Sequence, residues 1–224
     1  MPMIEIDPSQ SPGALGAANR SRLYVLLADG FRFPSPEFHG LVQGGAYRNG
    51  LRAIAACLPY PLPLADESLA TSSEYVDLQA EYIRLFDVGP KGRPPCTLYE
   101  GEYWSGARMQ VMEELVRFYD HFGLSLSTEE RELPDHLSVE LEFLHYLTFK
   151  ESAALERGLD PASYRRAASD FLARHPSRLL PRLRAKIDEQ PAEPLFPALV
   201  TLADDFVRAD LAYLRSLGTS SAAP

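Results

Sequence analysis

Apolar positions recur at helical spacing along nearly the whole chain. After Ala14, the residues Leu23, Leu26, Leu27 and Phe31 fall three and four apart, which predicts a first helix that Pro34 and Pro36 bring to a stop. A second helix is expected over residues 37–58, weakened by Gly44, Gly45 and Gly50, with Tyr60-Pro61-Leu62-Pro63 as a connector. A third is expected over residues 72–86, with Tyr75, Leu78, Tyr82, Leu85 and Phe86 on its apolar side and Ser72 or Ser73 as its N-cap. Residues 87–98 are too rich in Pro and Gly for a helix. A fourth helix follows over residues 104–122, with Met112, Leu115, Val116 and Tyr119 inward and Gly123 as its stop.

The fifth helix, residues 134–151, places Pro134 in its first turn. Leu137, Val139, Leu141, Phe143, Leu144, Tyr146 and Leu147 leave it little polar face, so it should be central and buried. Three more helices are expected over residues 161–174, 177–189 and 193–217; the last carries a stripe of Leu195, Leu199, Leu202, Phe206, Tyr213 and Leu217. No alternating strand pattern and no internal repeat is visible. The pattern therefore predicts an all-α fold: a single globular helical domain of about eight helices around a buried central helix. That domain should span residues 13–217, between a mobile N-terminal segment (1–12) and a disordered tail (218–224).

Composition narrows the function. The 224 residues are 46% hydrophobic and 24% charged, enough for a core that needs no disulfide or metal. The net charge of −9 argues against a nucleic-acid partner and favours a basic peptide. Cys57 and Cys96 make no disulfide framework, which fits a reducing compartment, the cytoplasm. The first residues lack the basic start and apolar run of a secretory signal, and no stretch reaches the roughly 20 apolar residues that span a bilayer. No stable membrane insertion is expected.

The residues that remain to be explained lie between 78 and 147. Asp135 and His136 open the apolar fifth helix, and His136 shares a face with Glu140. An acid in a first turn is favoured by the helix dipole alone, and a His there is often just a surface residue. The functional alternative is an acceptor cluster for a guanidinium, whose fork geometry suits carboxylates. The loop at 89–104 brings Tyr99, Tyr103 and Trp104 together with Glu100 and Glu102. Its aromatics either cover the core or, with Tyr82, Leu85 and Phe86 arriving from the preceding helix, form an apolar floor with an acidic rim. Glu142 and His145 have the Glu-x-x-His spacing of a di-iron helix site, but the second copy that such a site requires is missing. Cys96 has no evident base, and the glycines at 44–50 lack the strand and helix context of a phosphate loop. Arg165-Arg166 and the stretch from Arg182 to Lys186 read as solvated helix faces. Nothing here calls for a catalytic residue, a metal or a cofactor.

The order of these elements resembles the TorD/DmsD/NarJ family of redox-enzyme maturation chaperones. Three stretches carry the resemblance: Glu81-Tyr82-x-x-Leu85-Phe86 leading to Pro94-Pro95 and Tyr99-Glu100-x-x-Tyr103; Leu133-Pro134-Asp135-His136-Leu137-x-x-Glu140-Leu141-Glu142-Phe143; and Phe171-Leu172-x-x-His175. The texture of the chain is also similar to the subgroup that serves ethylbenzene and dimethylsulfide dehydrogenases and (per)chlorate reductases.

The resemblance implies an all-helical cytoplasmic chaperone, not an enzyme, that binds the twin-arginine leader and apo form of a molybdenum-cofactor oxidoreductase catalytic subunit. It would assist cofactor insertion and delay export until maturation. Asp135 and His136 match the family's leader-binding pair, and Tyr82, Leu85, Phe86 and Tyr99 match its groove. The implied peptide site is then Tyr82, Leu85, Phe86, Tyr99, Glu100, Glu102, Asp135, His136 and Glu140. Changing Asp135 or His136 to Ala is expected to weaken leader binding without unfolding the chain. One departure stands out: Leu179 occupies the place of a Trp that often follows the third motif's His by four residues. The alternatives are a helical metal-binding enzyme using Glu142 and His145, and a generic helical adaptor. The chain is expected to be a monomer or a domain-swapped dimer hinged at the loops 59–71 or 123–133.

Overall fold

The computed structural model describes residues 11–64, 66–89, 92–125 and 132–220. Expectations for residues 1–10, 221–224 and part of the 123–133 loop lie outside these. Among the described residues there are nine α-helices: α1 (Pro12–Gly30), α2 (Pro36–Gln43), α3 (Ala46–Ala55), α4 (Tyr75–Tyr82), α5 (Arg108–His121), α6 (Leu137–Glu156), α7 (Ala162–Arg174), α8 (Pro176–Asp188) and α9 (Leu195–Ser220). The only extended pairing among them is an isolated antiparallel bridge between Tyr99 and His136. The all-α expectation holds, and no described helix is long and apolar enough to cross a membrane.

Local chemistry explains where the expected boundaries moved. The single helix expected over residues 37–58 is two, because Gly45 sits at φ 74, a left-handed conformation that breaks the helix and that side chains resist. Neither Ser72 nor Ser73 caps α4. The Ser73 N–H instead donates to the Thr71 hydroxyl, its carbonyl faces the His39 ring, and Glu74 precedes the helix without a side-chain cap. α4 then widens into one π-helical turn, Ile83–Asp87, before the loop begins. α5 starts at Arg108 rather than at Trp104, because Glu100–Tyr103 winds into a separate 3-10 turn. α6 starts at Leu137 rather than at Pro134, with His136 as its N-cap. At the other end of the chain α9 continues past Leu217 to Ser220.

α1 and α6 form the most extensive helix pair; α7 packs on α6, α9 reaches α1 and α7, and α8 packs on α9 and α7. α6 is buried as expected, through Leu137, Leu141, Leu144 and Leu147, and α9 is the second deeply buried helix, through Leu195, Leu199, Ala203 and Phe206. A paired ionic network locks this core. Arg20 of α1 is fully buried and donates to Glu151 of α6 at 2.7 Å and to both carboxylate oxygens of Asp210 on α9. Tyr24 and Tyr60 donate to the same Asp210, and Arg165 of α7 closes the set onto Glu151 at 2.6 Å. Every charge there meets an opposite one, which is the condition under which buried ions are tolerated.

Candidate functional site

The loop after the π turn and the start of α6 are fastened to each other. The Cys96 N–H donates to the Leu85 carbonyl, the Leu137 N–H to the Leu98 carbonyl at 2.9 Å, and the Glu100 N–H to the Asp135 carbonyl at 2.8 Å. Asp135 then reaches back with its side chain, accepting the Gly101 N–H at 3.1 Å through Oδ2. A side chain at position 101 has no room: a Cβ there would lie 2.6 Å from the Arg108 Cγ and 2.9 Å from the Asp135 Oδ2. Gly101 is thus the residue that lets the turn close onto Asp135.

His136 is 4% exposed and caps α6 through Nδ1, which accepts the Ser138 N–H at 3.3 Å and meets the Ser138 hydroxyl at 2.7 Å. A ring nitrogen that accepts a backbone N–H carries no proton, so the neutral ring holds its proton on Nε2. Burial pushes the imidazole below its usual range, which keeps it neutral. Toward a docking cation His136 is therefore a positioner rather than an acceptor. Its ring stands edge-on to Tyr99 with centroids 5.0 Å apart. The Tyr99 hydroxyl donates to the exposed Glu132 at 2.9 Å, and Arg108 lies 5.9 Å over the Tyr99 ring.

Three carboxylates gather beneath this edge. Asp135 and Glu140 are 0% exposed and Glu100 is 1% exposed. Glu100 is satisfied: it accepts from the Trp104 indole at 3.3 Å and faces the His175 Nδ1 at 2.8 Å. The Oδ1 of Asp135 and both carboxylate oxygens of Glu140 meet no hydrogen-bond donor among the described residues. The nearest cation to Asp135 is Arg108, whose Nε is 4.0 Å away. Burial, and then the charges of Glu100 and Asp135, push Glu140 well above the usual carboxylate range. Asp135 is raised by burial too, though the Gly101 N–H and Arg108 pull it back.

The structure thus brings Tyr99, Glu100, Asp135, His136 and Glu140 to one place. It sets Glu102 at the margin, exposed and paired with Arg108 at 2.5 Å. It does not open Tyr82, Leu85 and Phe86 to a ligand. Leu85 and Phe86 are buried, and Tyr82 donates to the Phe31 carbonyl while its ring packs on Phe86 and Phe196. These three form the packed wall behind the site rather than an open groove. Exposed apolar surface nearby includes Leu133 and also Phe33, 51% exposed and edge-on to Tyr82 at 5.6 Å, a residue whose position after α1 gave no periodic signal. Glu132, Arg108 and Phe33 are the members that sequence reasoning missed. His175 entered through the third motif, and its contact with Glu100 ties that motif to the other two.

The competing chemistry does not assemble. Glu142 pairs with Arg32, whereas His145 faces Ser21 at 2.8 Å, and no group of three or more His, Cys, Asp or Glu among the described residues is arranged to hold a metal ion. Cys96 is buried, and that burial pushes its thiol up to about 11, away from a reactive thiolate. Leu179 is fully buried in the core. On α8 the Trp104 ring, contributed by the loop, lies under Arg178 and Arg182.

A family model described as nitrate reductase delta subunit matches residues 46–185. The chain is 36% identical over 198 residues to the perchlorate reductase assembly chaperone protein of Dechloromonas aromatica, covering 86% of this chain and 88% of that one. It is 40% identical over 151 residues to the selenate reductase assembly chaperone protein of Thauera selenatis, covering 64% and 77% of the two chains. It is 32% identical over 208 residues to the dimethyl sulfide dehydrogenase assembly chaperone protein of Rhodovulum sulfidophilum, covering 88% and 81%.

Proposed function

Because the chain belongs to the nitrate reductase delta subunit family, we propose that it is an assembly chaperone, not a catalyst, for a molybdenum-cofactor oxidoreductase. It works in the cytoplasm on the apo catalytic subunit and holds that subunit's twin-arginine leader until the cofactor is in place. The observation that supports leader binding is the surplus of acceptors at the start of α6. Glu132 and Tyr99 are reachable from solvent, and Asp135 and Glu140 lie beneath them with three carboxylate oxygens that meet no donor among the described residues. Arg108 is the nearby cation, and Glu102 already shares it. An arriving guanidinium supplies planar donors of the kind these oxygens lack. The apolar stretch after the two arginines finds Phe33 beside the site.

Calorimetric titration with a synthetic leader, two adjacent arginines followed by an apolar stretch, tests this reading. Asp135→Asn retains an oxygen for the Gly101 N–H while it removes the charge and replaces the other acceptor by an NH2 donor, so it is a cleaner probe than Asp135→Ala. Loss of one partner of a desolvated charge pair costs about 2–5 kcal/mol, so affinity should drop by at least about tenfold while the fold persists. His136→Asn, which retains capping ability, should weaken binding less than Asp135→Asn does. Unchanged affinity in Asp135→Asn excludes the site. Binding should also tighten as pH rises, because a guanidinium docked on Asp135 favours the ionised form of a carboxyl that burial holds high, and a proton leaves on binding. Calorimetry in buffers of different ionisation enthalpy reads that proton directly.

A further inference from the structure

α8 carries a row of cations that the leader site does not use. Arg178, Arg182 and Lys186 follow one another at four-residue steps, so they share one face of the helix, and all three are exposed. None of them meets a carboxylate within 4 Å among the described residues, in contrast to Arg84, Arg108, Arg184 and Arg208, which all end on one. Aromatic rings hold the row instead. The Arg178 and Arg182 guanidiniums lie 4.4 and 4.0 Å from the Trp104 ring centroid, and the Lys186 ammonium lies 4.3 Å from that of Tyr103. Arg182 also donates to the Arg178 carbonyl at 3.0 Å. Glu102, the exposed acid of the same 3-10 turn, is taken by Arg108 and does not neutralise the row. Long cationic side chains usually lose much rotamer freedom when they bind; here the rings have already ordered them, which lowers that cost.

We infer that this row, seated on Trp104 and Tyr103, is a docking surface for an acidic, extended peptide segment of a partner protein. The spacing carries the choice. Four helical residues rise about 6 Å, so the backbone positions that carry the row span about 12 Å along α8. An extended strand presents alternate side chains on one face every ~6.6 Å, so acids at alternate positions meet successive cations. A compact phosphate or pyrophosphate calls for donors free to converge on one point, and here the two guanidiniums lie over Trp104 while the ammonium lies over Tyr103. A single-stranded nucleic acid calls for open aromatic faces, and cations already lie over these faces in a chain whose net charge is −9.

Trp104 is the single tryptophan of the chain, so its emission reports on the row. The probe is a peptide of six Glu-Ser repeats, titrated into the full chain at low salt and followed by tryptophan fluorescence and by anisotropy of a labelled copy. The peptide should bind, bind more weakly as salt rises, and lose at least about tenfold in affinity in Arg178→Gln/Arg182→Gln/Lys186→Gln. Arg182→Gln alone should lose part of it, which keeps the test open if the triple variant does not fold. Asp135→Asn, the leader-site variant, should bind the acidic peptide as the parent chain does, so this inference and the leader reading fail separately. Three results overturn the proposal: no binding by the parent chain; equal binding by the Gln variants; or displacement of the peptide by inorganic pyrophosphate or a dT12 oligonucleotide at lower concentration than the peptide itself requires.

Discussion

Two buried polar clusters sit in this molecule, and they are built on opposite terms. Around Arg20, two arginines face two carboxylates, and both oxygens of Glu151 and of Asp210 have donors. Around Glu140, three carboxylates share a distant Arg108 and the His175 ring, and three of their oxygens have no donor among the described residues. The first cluster joins α1, α6, α7 and α9, with Arg20, Glu151 and Asp210 buried. The second lies under the Tyr99–His136 bridge, at the edge of the fold. A self-contained ion network holds a structure together; a cluster short of positive charge holds strain that an incoming cation can relieve. The difference is the reason for proposing the second, rather than the first, as the leader site.

The sharpest test of the contrast is to remove the cation from the complete cluster. Arg20→Met leaves Glu151 and Asp210 buried with half their partners gone, and should cost about 3–5 kcal/mol in denaturant unfolding. A loss below about 1 kcal/mol would erase the distinction between the two clusters. Next in size, Gly101→Ala forces a methyl group against Asp135 and Arg108; overpacking of this kind costs about 1–3 kcal/mol, and leader affinity should fall with it because the turn carrying Tyr99 moves.

Glu140→Gln should act in the other direction. The folded-state value of Glu140 lies above its ordinary one of 4.5, so its contribution to stability is complete below that value and is lost as pH rises through the raised one. The variant should therefore match the parent chain in acid and exceed it increasingly as pH rises above the ordinary carboxylate range; a parent chain that gains on the variant as pH rises would show that Glu140 is paired after all. The smallest effect is expected at the rim. Glu132→Gln retains an acceptor for Tyr99 and should leave stability within about 0.5 kcal/mol while lowering leader affinity a few-fold in titration.

Much of the fold could be read from the apolar spacing because helices bury a periodic stripe, and α1, α6, α7, α8 and α9 each lie within a few residues of expectation. The errors fell where the backbone answers to something outside the local sequence. The apolar pattern starts the fourth helix at Trp104, whereas the Glu100–Tyr103 turn is drawn away by Asp135, which is 34 residues distant from its partner Gly101. Pro134 looked like a first helical residue, but the Tyr99–His136 bridge holds 134–136 outside α6. Leu85 and Phe86 share a motif with Tyr99, which suggests a groove, and only packing shows that Phe86 stacks on Phe196 of α9 and that Leu85 is fully buried. The stretch from Arg182 to Lys186 read as a solvated face, since nothing in its neighbourhood announces Trp104 and Tyr103 beneath it.

The sequence by itself determined the all-helical class, the acidic balance and the closeness of Asp135, His136 and Glu140 at one helix start, whereas the Tyr99–His136 bridge came from the tertiary structure. The first three depend on periodicity, counting and short separations, which a linear string carries. The tertiary structure alone decided which of those groups are satisfied. Whether a carboxylate is a paired lock or an acceptor short of a donor depends on what approaches it from 75 or 190 residues away, as His175 approaches Glu100 and Asp210 approaches Arg20. Hydrogen-bond satisfaction is a property of three-dimensional neighbours, and it is what separates the scaffold of this protein from its site.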